Sequence, residues 1–64
     1  MRSGTYQLTF DDAIDVWLRH WLGEYQHQIA AKYGVNQGRV NEVLKGYRHL
    51  GSEEAAKKKR RSAA

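Results

Sequence analysis

The sequence predicts an all-α protein built from three helices, and three observations carry that prediction. Apolar residues recur at spacings of three and four rather than alternating. No proline interrupts any of the 64 residues. Gly23 and Gly34 stand just past the ends of periodic stretches, where a residue of positive φ stops a helix. A chain of this length forms one small domain and buries roughly 60% of its unfolded surface, which leaves it marginally stable.

Residues 1–8 read as a flexible arm. Thr9 is a good N-cap, and Asp12 three residues later supplies an acidic capping box. Asp11, Asp12 and Asp15 near this N-terminus suit the helix macrodipole. Phe10, Ile14, Trp17, Leu18 and Trp21 then form one apolar stripe, widened by Ala13 and Leu22. Asp15 and Arg19 make an i, i+4 pair on the outer side. The helix is expected to end near Leu22.

A second helix begins around Tyr25 or Gln26 with a poor cap, and its inward face is Ile29, Ala30 and Tyr33. Gly34 follows, and Val35 is placed to fold back onto the preceding turn. Asn36 caps a third helix from Gln37 to Gly46, whose inward face is Val40, Val43, Leu44 and Tyr47. Glycine inside one long helix would cost about 1 kcal/mol relative to alanine. Gly34 is therefore read as a joint between two helices.

Two short helices joined by a glycine turn over residues 26–45 resemble the helix-turn-helix family of DNA-binding domains, over about a third of the chain. Ala30 is small where the helices cross, Gly34 takes the left-handed angle, and Val40 and Val43 wedge the second helix against the first. Tyr25 departs from the Ser or Thr cap usual in the family. With one helix before the motif, the chain resembles a tri-helical homeodomain-like, resolvase-type or phage-repressor-type domain, expected to occupy residues 9–50.

The resemblance implies that the third helix enters the major groove of double-stranded DNA. Independently, the face opposite Val40 and Val43 carries Gly38, Asn41, Glu42 and Lys45, with Gln37 and Arg39 flanking. Gln and Asn can pair with adenine, and Arg with guanine. Glu42 is the awkward member: it either accepts from a cytosine amino group or holds Arg39 or Lys45 in place. Lys32, Asn36, Tyr47 and Arg48 are expected phosphate contacts. The plainer reading is the polar solvent face that every amphipathic helix has.

The formal net charge of +4 is unevenly placed. Residues 1–56 carry six basic residues against all seven acids, a net of −1, and Lys57, Lys58, Lys59, Arg60 and Arg61 form one run. Residues 51–64 are thus expected to be a basic, disordered tail that adds phosphate contacts. The competing reading is a fourth helix, capped by Ser52 and running through Glu53 to Lys59, docked on the body.

Other classes of function fit poorly. Without cysteine there is no disulfide framework or thiolate metal site. His20, His27 and His49 lack metal-ligand spacing, and dipole compensation accounts for the aspartates without any acid–base role. The sequence therefore predicts no enzyme, no cofactor, no metal and no small-molecule substrate. No stretch approaches the roughly 20 apolar residues that cross a bilayer, so a cytoplasmic, nucleoid-associated location is expected. The wide stripe of the first helix is a candidate homodimer contact. The expected function is that of a small bacterial or phage transcriptional regulator. The alternatives are a protein–protein adaptor on the same fold and a tail-driven RNA or non-specific nucleic-acid binder.

Overall fold

The computed structural model describes residues 6–63. These form α1 (Phe10–Trp21), α2 (Gln26–Tyr33), α3 (Gln37–Leu44) and α4 (Ser52–Ala63), with no strand among the described residues. Residues 1–5 of the expected arm, and Ala64, lie outside the described residues. The rest of that arm is tied down: the Tyr6 hydroxyl donates to Asp12, and Leu8 packs against the core.

The boundaries of α1 and α2 follow from local chemistry. At Thr9 the capping box is complete, its hydroxyl accepting from Asp12 N–H at 3.1 Å while Asp12 accepts from Thr9 N–H at 3.0 Å. Two paired bonds close the end of α1, Gly23 N–H to His20 and Glu24 N–H to Arg19. The same pairing closes α2, where Gly34 N–H donates to Ala31 and Val35 N–H to Ala30. Gly34 has φ 69°, the left-handed value a joint requires. Tyr25 makes no side-chain cap, and Gln28 reaches back to its N–H at 3.3 Å instead.

α3 starts as expected, with Asn36 Oδ1 accepting from Gly38 N–H at 2.7 Å. It ends two residues earlier than expected. Gly46, at φ 80°, repeats the paired closure, its N–H going to Val43 and that of Tyr47 to Glu42. Tyr47 is therefore outside the helix and 75% exposed, not on its inward face.

The core consists of Ala13, Val16 and Trp17 from α1, Ile29 and Ala30 from α2, Val40 and Val43 from α3, and Ala56 from α4. The expected stripe of α1 is corrected here. Val16 is fully buried, Ile14, Leu18 and Trp21 are partly buried, and Phe10 is exposed. The cause is that α1 has two sets of partners, the α2–α3 pair and α4. Its deepest line runs where both converge.

The expectation of three helices and a disordered tail is also corrected: residues 52–63 form α4, packed on α1. Glu53 and Glu54 in its first turn and Arg60 and Arg61 in its last both oppose the macrodipole. Lys57 pairs with Glu54 at 3.7 Å and Glu53 at 4.0 Å. Docking rests on Ala56, which has no exposed surface, and on a buried hydrogen bond from Trp17 Nε1 to Ser52 Oγ at 3.1 Å.

Candidate nucleic-acid interface

The α2–α3 pair is braced from α1 by a polar network. Arg19 Nε donates to Asp15 Oδ2 at 2.7 Å, and Arg19 Nη1 reaches Glu24 at 3.1 Å across the α1–α2 turn. The Tyr33 hydroxyl donates to the same Asp15 oxygen. Tyr33 immediately precedes Gly34, so this bond fixes the last turn of α2 where the joint begins. Desolvation works to raise the Asp15 pKa, but the bonds from Tyr33 and Arg19 outweigh it and hold the carboxyl below its ordinary value. Burial, and next the bond to Asp15, push the Tyr33 hydroxyl pKa up.

With Val40 and Val43 facing inward, α3 turns Gln37, Gly38, Arg39 and Lys45 to solvent, while Asn41 and Glu42 are half-buried. All six residues expected to read bases therefore lie on or at the end of α3. Lys32 and Asn36 are exposed beside its N-terminus. Gly38 has a local reason to be glycine: a Cβ there would stand 3.2 Å from the Asn36 Oδ1 that caps the helix.

Glu42 holds not Lys45 but two arginines. Its carboxylate accepts from Arg39 Nη1 at 3.2 and 3.3 Å and pairs with Arg48 Nε at 2.9 Å. Tyr47 N–H bonds the Glu42 carbonyl at 2.9 Å, so backbone and side chain together tie the loop after α3 to the helix. Beside this cluster is a cleft of about 150 Å³ lined by Gln7, Leu8, Arg39, Val43, Arg48 and His49.

His49, which lacks metal-ligand spacing to the other histidines, has a structural role. Its Nε2 lies 2.9 Å from the Leu8 carbonyl oxygen, and its ring meets Phe10 edge-on. It also adopts φ 54°, in the left-handed region that His enters more readily than most residues other than glycine.

The basic run is carried on α4 with Lys57, Lys58, Lys59, Arg60 and Arg61 all exposed. The Arg60 guanidinium lies 4.6 Å from the centroid of a Trp21 ring. A groove of about 500 Å³ runs between Trp21, Glu53, Lys57, Arg60 and Arg61. α4 packs on α1 and on neither α2 nor α3. The surface of α1 considered for a second copy is in large part occupied by α4 of the same chain, although Leu22 remains 79% exposed.

Among the described residues, no group of three His, Cys, Asp or Glu could hold a metal ion, and no helix is long and apolar enough to cross a membrane. Comparison of the chain with family models, characterised proteins and solved structures finds no match.

Proposed function

We propose that this chain binds double-stranded DNA in a sequence-specific manner, with α3 in the major groove, and acts as a small transcriptional regulator. The observation that carries this reading is the face of α3. Gln37, Arg39 and Asn41, three side-chain types suited to base edges, project from a helix held by a left-handed glycine joint and braced through Tyr33 and Asp15. Lys32, Asn36, Tyr47 and Arg48 would contact phosphates alongside it. Such a protein would work at the nucleoid, and Leu22 is the most exposed apolar residue of the α1 end through which two copies could meet.

Selection of bound DNA from a random pool tests the proposal. A defined sequence should emerge, and Gln37→Ala or Asn41→Ala should each cost about 1–3 kcal/mol on it. Affinity for random DNA should change much less. Recovery of an unenriched pool would sink the proposal.

One observation favours a second reading. α4 carries five cations on a helix separate from the reading face, which suits a binder of nucleic acid without sequence preference. On that reading a structured RNA would compete as well as duplex DNA, and substitutions on α3 would leave binding unchanged.

A further inference from the structure

A carboxylate on a surface that meets phosphates weakens binding, so the place of Glu42 on α3 calls for a compensating gain. Its two oxygens are shared between Arg39 and Arg48, and the three side chains form a cluster with a net charge of +1. The Glu42 side chain is 31% exposed, whereas those of Arg39 and Arg48 are 56% and 58% exposed. The acid is thus the recessed centre and the guanidiniums are the outward members.

Free arginine side chains contact phosphates in many rotamers, and that contact carries no sequence information. An arginine anchored through one Nη keeps the other Nη and Nε as a planar fork of fixed direction, the geometry that matches the O6 and N7 acceptors of guanine. Glu42 engages Arg39 through Nη1 alone. Arg48, on the loop after α3, holds the same carboxylate through its Nε at 2.9 Å.

We infer that Glu42 is a positioning residue for specificity: it exchanges affinity for phosphates against a fixed Arg39 fork, and the base this fork reads is a guanine. The inference rests on the proposal that α3 reads DNA. Glu42 itself contacts no base. Its partners set its position, with Arg39 one helical turn before it and Arg48 beyond the Gly46 turn.

The test compares the parent chain, Glu42→Gln and Arg39→Lys on three duplexes: the selected site, that site with its guanine replaced by adenine, and a random sequence. Glu42→Gln keeps the shape and removes the charge. It should raise affinity for random DNA and steepen the slope of log affinity against log salt by about one, as a released guanidinium finds a phosphate. Discrimination between guanine and adenine should fall about tenfold, within what one bidentate pair supplies. Arg39→Lys keeps the charge and loses the fork, so it should lose the guanine preference while random binding stays level.

Melting temperatures of both variants should match the parent, because exposed ion pairs add little stability. A role confined to structure would lower melting and leave the discrimination ratio intact, and that outcome overturns the inference. So does an unchanged ratio for Glu42→Gln, or a selected site without guanine under Arg39. If the parent chain selects no sequence at all, the DNA-reading proposal fails first and takes this inference with it.

Discussion

The indole N–H of Trp17 donates to the hydroxyl oxygen of Ser52, 35 residues further along the chain, in a seam closed to solvent. Ser52 is 2% exposed and, among the described residues, is the one buried polar residue. Ser52→Ala would leave the indole N–H buried without a partner, at a cost of about 1–3 kcal/mol. Thermal melting should show that loss, and the pair Trp17→Phe with Ser52→Ala should destabilise by less than the sum of its members. Full additivity would mean that the bond contributes nothing.

At Gly34 a built Cβ would meet nothing within 4 Å, so the cost of a side chain there lies wholly in the backbone at φ 69°. Gly34→Val should destabilise by more than about 1 kcal/mol, and Gly34→Asn, which tolerates the left-handed region, by much less. Equal melting of the two variants would show that the joint does not require positive φ.

Gly38 separates stability from binding. Gly38→Ala gains up to about 1 kcal/mol of helix propensity. Against this it presses on the Asn36 cap, whose loss costs about 1 kcal/mol. Melting should therefore move little. If the α3 N-terminus approaches DNA closely, affinity for the selected site should nonetheless fall, and an unchanged affinity would leave the cap as the whole explanation of this glycine.

The Asp15–Tyr33 bond makes stability depend on pH in a defined direction. Asp15 has a depressed folded pKa, so its contribution is present above the unfolded value of about 3.9 and is lost as pH falls through the folded value. Tyr33 has a raised one, so its contribution is present below about 10 and is lost as pH rises beyond. Tyr33→Phe should raise the Asp15 titration midpoint measured by NMR. Its stability deficit against the parent should be largest near neutral pH and shrink at both extremes. A deficit independent of pH would assign the effect to packing.

Because α4 is docked, deleting residues 57–64 should lower melting as well as affinity. Lys58→Gln with Lys59→Gln leaves Ser52 and Ala56 untouched and isolates charge. If both lysines meet phosphates, the salt slope should flatten by about 1.8 units, with melting unchanged. An unchanged slope would remove these two lysines from the binding surface.

Elements with a chemical punctuation mark were legible in the sequence: Thr9 with Asp12, Gly23, Gly34 and Asn36 fall where residue type alone places them. The face of α3 was legible as well, because Val40 and Val43 fix its rotation. What was lost concerns contacts between distant segments. Nothing apolar larger than alanine marks α4, and its docking depends on an indole supplied 35 residues earlier. The same docking turned the buried line of α1 toward Val16. Tyr47 was misplaced because the pattern i, i+3, i+4, i+7 continues through Gly46 in sequence while the helix stops before it. Arg48 was singled out as a phosphate contact, but its link to Glu42 depends on the path of that loop.

Both tryptophans, Trp17 and Trp21, stand at the junction of α1 with α4. Tryptophan emission from this chain consequently follows the seating of the last helix on both residues, while Trp17 alone also belongs to the core shared with α2 and α3. Trp21→Phe and Trp17→Phe therefore divide the signal, the first leaving a reporter of the core and the second a reporter of the basic helix. A ligand that disturbs only the Trp21 signal has touched or moved α4.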